Sequence, residues 1–298
     1  MAVTYYSLNQ YVRDNFGHKL YKVAIDGGFT CPNRDGSVGV SGCIFCSGRG
    51  SGDFTPGGGL TISEQIEEGA KKISKKLGCV EQPAYIAYFQ AFTNTYSDIE
   101  DLKNKYTEAL SHPKVAALSI ATRPDCIDES VVDLLSECNK IKPTWVELGL
   151  QTIHDKTAKY IRRGYELSVY DRSLEMLKAA GLPQIITHVI LGLPGESRQM
   201  MLDTVRYVAQ SHSNGIKLQL LHVIEGTDLC RDFREGGFEV LSLEEYCDIV
   251  VECLKILPPD MVVHRLTGDG DKRSLVAPLW SGDKKKVLNT LHKAMERE

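Results

Sequence analysis

The stretch Tyr21–Gly50, "YKVAIDGGFTCPNRDGSVGVSGCIFCSGRG", joins a short apolar run to a loop holding three cysteines, Cys31, Cys43 and Cys46. The run "YKVAI" (21–25) predicts a strand buried on both faces, as in a parallel sheet. The loop leaves that strand at its carboxyl end, the end where βα folds place their ligands. Strand and loop together read as the first unit of an α/β fold with its site at one mouth.

Outward from this unit the same alternation continues. Further apolar runs are "AYIAYFQ" (84–90), "VAALSIAT" (115–122), "WVELGLQ" (145–151), "IITHVILG" (185–192) and "IKLQLLHV" (216–223). Amphipathic segments lie between them: Ser63 to Gly78, a stretch opened by Asp128, Ser168 to Gly181, and "SRQMMLDTVRYVAQ" after Pro194 and Gly195. Ser or Asp at such a start caps orphan amides, and glycine at the end takes the left-handed conformation. Six βα units joined by right-handed crossovers predict a partial (β/α)6 TIM-like barrel, open because eight units are needed for closure. The tail predicts a helix over 242–257, a short strand over 261–266 and a basic helix over 283–297. The expected organisation is one structural domain: a core over 1–224 with the cysteine loop at 26–59, and an extension over 225–298 packed on it.

The 298 residues are 42% hydrophobic and 25% charged, the balance of an ordinary globular protein. No apolar stretch approaches the ~20 residues of a membrane span, and the N-terminus lacks a basic start followed by an apolar run. The expectation is a cytoplasmic protein without membrane contact. A net charge of −4 gives no global nucleic-acid footprint, so a tRNA would be held by local basic patches. Nine cysteines spread along a chain this long predict reduced thiols rather than a disulfide scaffold.

Two readings of the cysteine loop stand side by side. Cys-x-x-Cys is a common zinc source, but a closed zinc site wants four ligands, usually as two close pairs, and no second pair occurs. The other reading is a cubane iron–sulfur cluster on three thiolates, with the fourth iron left for a small molecule. Phe45, between the last two cysteines, would shield it.

These residues resemble the radical S-adenosylmethionine (SAM) superfamily: a three-cysteine loop after strand one, an aromatic residue before the last cysteine, and a six-fold β-α order. The eleven-residue gap from Cys31 to Cys43 departs from the common Cys-x3-Cys-x2-Cys spacing. With "GGFTCPNRDG" and "GCIFCS" it resembles the branch containing the Elongator catalytic subunit and the YtqA/YhcC-like proteins. The resemblance implies a [4Fe-4S] cluster on Cys31, Cys43 and Cys46, SAM chelating the open iron, and a 5′-deoxyadenosyl radical. It also implies an electron donor such as flavodoxin or ferredoxin.

Further SAM contacts follow from the resemblance strand by strand. After strand two, "YFQAFTNTY" stands where many members have Gly-Gly-Glu, so Gln90, Thr93 or Asn94 would receive the amino group. Glu147 and Gln151 in "VELGLQT" share one strand face with Gly149 and would line the site. In "THVILGLPGES", Ile190 and Gly192 match the family's adenine platform, His188 replaces a glycine and Glu196 falls one residue late. Arg162 and Arg163 in "YIRRGY" resemble a turn that approaches the SAM carboxylate, and Arg123 after strand three is a similar candidate. Substrate-pocket candidates are Tyr96, His188, His222, His264 and Arg265.

The branch is associated with the tRNA wobble uridine, which implies conversion of a carboxymethylaminomethyl side chain to aminomethyl. "KKISKK" (71–76), Arg162–Arg163 and "DKKK" (283–286) could meet phosphates. The tail beyond strand six is too short for an acetyltransferase domain, so acetyl transfer is not the expected activity. A radical SAM enzyme acting on a small molecule or peptide, and a zinc-stabilised, noncatalytic tRNA-binding protein, are the alternatives.

Overall fold

The computed structural model describes residues 3–50, 52, 55, 59–77, 83–268, 270 and 272–297. Gly78, Cys79 and the side chain of Lys76 lie outside the described residues. Seven strands form one parallel sheet: β1 (Leu20–Ile25), β2 (Ala84–Phe89), β3 (Val115–Thr122), β4 (Thr144–Gln151), β5 (Gln184–Leu191), β6 (Gly215–Leu220) and β8 (Val262–Arg265). Each strand lies beside the one before it, β8 following β6. Between them run α2 (Ile62–Leu77), α3 (Ile99–Ser111), α4 (Glu129–Ile141), α5 (Asp155–Tyr160), α6 (Leu167–Ala179), α7 (Arg198–Gln210), α8 (Asp228–Arg234) and α9 (Leu243–Ile256). Before the sheet comes α1 (Leu8–Phe16), and after it α10 (Lys284–Glu296); β7 (Val223–Ile224) and β9 (Leu275–Ala277) make a separate antiparallel pair. This is the expected open α/β barrel, one strand wider than six.

The extra strand is the one expected in the tail. Helix α9 turns the chain back so that Val262–Arg265 pairs in parallel with β6. The strand expected over 216–223 stops at Leu220, because Val223 and Ile224 leave the sheet to pair with β9. Helices α1, α3, α5 and α8 were not among the expected segments, although Ser7, Asp98 and Thr227 cap α1, α3 and α8 through their side chains and Gly17 ends α1 in the left-handed conformation. Two helix starts differ from expectation. Thr61 rather than Ser63 caps α2, exchanging hydrogen bonds with Glu64. Glu166, not Ser168, stands at the cap of α6 and makes no capping bond. Asp128, Ser197 and Ser242 cap α4, α7 and α9 through their side chains.

Strand alternation sorts the sheet into two faces. Outward residues such as Ile25, Phe89, Leu118, Ile120, Val146, Leu148, Val189 and Leu218 merge with the helices into the main core. Each such burial contributes about 1.5–3 kcal/mol. The inward residues are layered. At the amino end of the strands, Leu20, Ile86, Ala117, Trp145 and Ile186 form a small apolar floor sealed by Val12, Leu8, Tyr11 and Phe16 of α1. The Trp145 ring meets Tyr11, Phe16 and His264 edge-on at 5.9, 6.3 and 5.8 Å. The segment before α1 also covers the sheet's edge, Val263 N donating to Tyr6 O at 2.8 Å. One mouth of the barrel is therefore plugged, and the other holds the strand-to-helix loops.

Candidate active site

Above the apolar floor, the next inward layer is charged. Glu147 of β4 is 0% exposed and its carboxylate takes four donors. Lys22 Nζ and Ser119 Oγ reach Oε1 at 2.7 and 2.8 Å, while His188 Nε2 reaches Oε2 at 2.8 Å together with Lys217 Nζ. Lys217 also donates to the Tyr88 hydroxyl at 3.2 Å, and the Lys22 and Lys217 ammonium groups lie 4.7 and 4.6 Å from the Tyr88 ring centre. Burial alone would raise the Glu147 carboxyl, but Lys217, Lys22 and His188 outweigh it and hold it well below the usual carboxylate range. Burial and the Lys217 charge push His188 down to about 4, against the pull of Glu147, so its imidazole is neutral at pH 7.

Higher still, at the open mouth, a cavity of about 280 Å³ reaches from the cysteine loop down to Glu147 and Lys217. The loop is held by its own turns and by the loop after α5. Arg34 N donates to Cys31 O at 2.8 Å and Cys46 N to Cys43 O at 3.0 Å. Ile44 N donates to Ile161 O at 3.3 Å and accepts at its carbonyl from Leu229 N at 3.0 Å. The Asn33 amide bridges the two segments, donating to Arg162 O at 2.7 Å and lying 3.5 Å from the Cys43 sulfur. Gly164 allows that close approach: its φ is +84°, and a Cβ there would lie 2.7 Å from Asn33 Oδ1.

Cys31, Cys43 and Cys46 all line the cavity, and no other cysteine among the described residues does. The hydrogen bond from Cys46 and the nearby Arg123, Asn33 and Arg34 pull the Cys43 thiol down to about 6 in spite of its burial. Among the described residues no three His, Cys, Asp or Glu side chains stand close enough to share one ion. A cubane cluster does not need that, because each thiolate binds its own iron corner. The donor set fits such a cluster: three thiols, one already acidic, in cationic surroundings.

The same cavity offers an acceptor. Gln151 lines it with Oε1 buried and without a hydrogen-bond partner, and its backbone φ of 69° is a strained value for a residue other than glycine. Gly149 makes the space, since a Cβ there would come within 2.9 Å of Gln151 Nε2. A buried, orphaned amide oxygen suits a ligand that brings an N–H or O–H, such as the amine or ribose of SAM. Phe92, also in the lining, has φ 60°, and Arg162, between the lining residues Ile161 and Arg163 in sequence, has φ 56°.

Of the residues singled out from sequence, Cys31, Cys43, Phe45, Cys46, Gln90, Thr93, Arg123, Glu147, Gln151, Arg163, His188, Ile190, His222 and Arg265 line the cavity. Phe45 and Ile190 belong to one apolar cluster with Ile44 and Leu221, a dry wall beside the thiols. Six candidates lie elsewhere, Arg162 and Glu196 among them. Asn94 is wholly buried behind the mouth, its amide donating to Ala121 O at 2.8 Å. Gly192 donates to the Met201 sulfur at 3.1 Å. Tyr96 shares a hydrogen bond with Ser37 at 2.7 Å outside the cavity. His264 belongs to the plugged end, bonded to Gln184 at 3.1 Å under Trp145.

Three arginines have partners within the chain. Arg163 is buried and spends its fork on the carbonyls of Tyr165 and Thr152, at 2.9 and 2.6 Å. Arg162 points outward and pairs with Asp228 at 2.5 Å. Arg123 is held bidentately by Asp125 at 2.9 and 2.7 Å, against the Tyr165 ring. Glu196 accepts from Thr152 at 2.5 Å rather than facing the cavity. Sequence reasoning missed Lys217, Tyr88, Gln219 and Arg34, which also line it. Lys217 and Gln219 alternate in "IKLQLL", a pattern that could have flagged polar residues on the inner face of β6.

A family profile for the radical SAM superfamily matches residues 31–208, and one for the Radical_SAM C-terminal domain matches residues 213–297. Over 292 residues the chain is 43% identical to YtqA of Bacillus subtilis (strain 168), covering 98% of this chain and 89% of that protein. It is 29% identical over 199 residues to the tRNA uridine(34) acetyltransferase of Methanocaldococcus infernus, covering 65% of this chain and 35% of that protein. Among solved structures, the archaeal Methanocaldococcus infernus Elp3 with N-terminal deletion shares the fold, with a TM-score of 0.70 at 20% identity over 93% of this chain and 63% of that one. A profile match that takes in the cysteine loop and strands β2 to β5, and close kinship along nearly the whole length, lead to one conclusion: this chain belongs to the radical SAM superfamily, whose members use a [4Fe-4S] cluster and SAM.

Proposed function

We propose that the chain modifies the side chain of the tRNA wobble uridine, converting carboxymethylaminomethyl to aminomethyl. Cys31, Cys43 and Cys46 would hold the cluster, and SAM would lie between them and the orphaned Gln151 oxygen. Bound there, cluster and SAM, supplied with an electron from a flavodoxin or ferredoxin, would furnish a carbon radical able to take hydrogen from the carbon between the side chain's amine and carboxylate. Return of one electron from that carbon to the cluster, and addition of water to the resulting imine, would break the N–C bond and release glyoxylate, leaving the aminomethyl group. Ile44, Phe45 and Ile190 keep water from the space beside the thiols. Arg34 braces the loop through the carbonyls of Cys46 and Ser47, at 3.3 and 2.7 Å.

The observation that carries the proposal is the continuity of the cavity, from the three thiols to a floor bearing Lys217 and Arg265. One ligand can fill the upper part while a narrow, polar side chain reaches the floor. Kinship with a protein named as a tRNA uridine(34) acetyltransferase supports uridine 34 as the target. Arg162 and Arg163, engaged within the chain, are withdrawn from the phosphate-binding candidates; the exposed lysines of α2 and α10 stay.

The test is nucleoside mass spectrometry of tRNA from cells with and without the gene. Carboxymethylaminomethyl uridine should accumulate, and aminomethyl derivatives should fall, when the gene is removed. The anaerobically reconstituted protein should then form 5′-deoxyadenosine and the aminomethyl product together. An unchanged wobble nucleoside in the deleted strain rules the proposal out.

A further inference from the structure

We propose that Asn33 sets the reduction potential of the iron–sulfur cluster, through an amide N–H held against the Cys43 sulfur. The inference rests on the reading that Cys31, Cys43 and Cys46 hold the cluster, and it is independent of the substrate.

The long gap between Cys31 and Cys43 folds back on itself and so brings Asn33 to Cys43. Pro32 O accepts from Val38 N and Gly39 N at 2.8 and 3.1 Å, and Asn33 O accepts from Gly42 N at 2.6 Å. On the other side, Cys31 O accepts from Arg34 N at 2.8 Å and from Asp35 N at 3.2 Å. Gly42 takes φ +73°, a turn that leads directly into Cys43. Asn33 itself is buried, so its side chain is aimed by a backbone fixed on both sides.

Its surroundings fix which end of the amide faces the sulfur. Three acceptors surround Nδ2: Arg162 O at 2.7 Å, Arg163 O at 3.4 Å and Cys43 Sγ at 3.5 Å. Turning the amide over would set its oxygen against two carbonyls, so the nitrogen faces them. An amide nitrogen carries two hydrogens. One serves the short bond to Arg162 O, which leaves the other for the longer contacts. The neighbouring cations are engaged elsewhere: Arg34 on the carbonyls of Cys46 and Ser47, and Arg123 on Asp125.

Reducing an iron–sulfur cluster adds a negative charge that its sulfur ligands share. An N–H with its positive end on such a sulfur stabilises the reduced form more than the oxidised one and raises the potential. The apolar wall of Ile44, Phe45 and Ile190 lies beside the thiols. The low dielectric there strengthens the bond. Asn33 is thus a positioning residue whose effect is on how readily the cluster accepts its electron.

The experiment is a redox titration of the anaerobically reconstituted protein without SAM, followed by the electron paramagnetic resonance signal of the reduced cluster. Each signal is scaled to the same sample's fully reduced amplitude, so a variant holding less iron still gives its midpoint. At the wild-type midpoint, Asn33→Ala should lower the ratio of reduced to oxidised cluster about fivefold, the worth of one net hydrogen bond. For a one-electron couple that is a shift of about 40 mV downward. Asn33→Asp, which replaces the N–H by an acceptor, should lower the ratio further. Ser37→Ala is the control: it removes the loop's bond to Tyr96 without a change of charge and should leave the midpoint in place. Wild-type midpoints in both Asn33 variants would overturn the proposal and spare the cluster on its three cysteines. So would loss of all iron from both Asn33 variants while Ser37→Ala stays loaded, since the amide would then serve the loop's shape. An equal shift in Ser37→Ala would assign the effect to loosening of the loop and overturn it as well. Full iron in Cys43→Ala would remove the cluster from Cys43 and sink both readings.

Discussion

Lys22 on the first strand and Glu147 on the fourth meet at 2.7 Å inside the barrel, although 125 residues separate them in sequence. The contact exists because both side chains point inward at the same level of a curled sheet. Around this pair the other strands add Tyr88, Ser119, His188 and Lys217, so that the acid and its partners span six of the seven strands.

Removing that acid leaves buried ammonium groups uncompensated. Glu147→Ala is expected to cost about 3–5 kcal/mol in chemical denaturation, and Glu147→Gln less, because the amide oxygen still accepts. The pH dependence has a fixed sign. The folded carboxyl lies below its ordinary value of 4.5, so its stabilisation is present above that pH and is lost as pH falls through the folded value. Denaturation curves for Glu147→Gln should lack this acid limb.

His188 titrates with a different window and the same overall direction. Its folded value of about 4 lies below the ordinary 6.5, so between these values the unfolded chain binds the proton and the folded chain does not. Stability should therefore rise by up to about 3 kcal/mol as pH climbs from 4 to 6.5. His188→Gln keeps an N–H for Glu147 and cannot titrate. Its stability should rise less steeply than the wild type's through that window. The slope that remains belongs to buried His264, whose imidazole burial also holds well below its ordinary value. A slope equal to the wild type's would assign the whole effect to another group.

Much of this arrangement was legible before any coordinates. The strand runs and the cysteine loop carry strong local signals, since buried parallel strands are continuous in apolar residues and metal loops repeat one residue type. Glu147 and Gln151 stood out because polar residues on a buried strand face demand partners. The partners themselves were not legible: nothing near Lys217 in sequence announces Glu147, which is 70 residues away. His264 and Arg265 looked equivalent as neighbours, yet they split between the plugged end and the cavity. Strand alternation with a register shift at Ile216/Lys217 decides this, and no local pattern carries it. Arg163 lines the cavity as expected, but the carbonyls its guanidinium holds were not legible, since an arginine's charge says nothing of its partners.

Gln151 is held in the left-handed region at φ 69°, which costs a non-glycine residue about 1–3 kcal/mol. Gln151→Gly relieves that strain but adds backbone freedom to the unfolded chain, worth about 0.5–1 kcal/mol. Stability should therefore hold within about 1 kcal/mol of wild type. SAM affinity, measured by equilibrium binding to the reconstituted protein, should fall about tenfold as the buried acceptor is lost. Unaltered SAM affinity would show that the strained amide serves the fold alone.

The cysteine loop lies on the barrel rather than within its main core, and this separates cluster loss from unfolding. Cys31, Cys43 and Cys46 are absent from the packed apolar clusters, and the loop is tied down by backbone bonds of Ile44 and by the Asn33 amide. Cys43→Ala removes a thiol while leaving those bonds in place. After anaerobic reconstitution the wild-type chain should carry about four irons and be brown. The variant should lose most of that iron and colour, with its apo-form unfolding midpoint within about 1 kcal/mol of the wild-type apo-protein. Cys138→Ala, at a buried thiol in the main core, makes the contrasting control: full iron, with lower stability from the cavity left behind. Undiminished iron in Cys43→Ala would mean that the metal sits on other ligands.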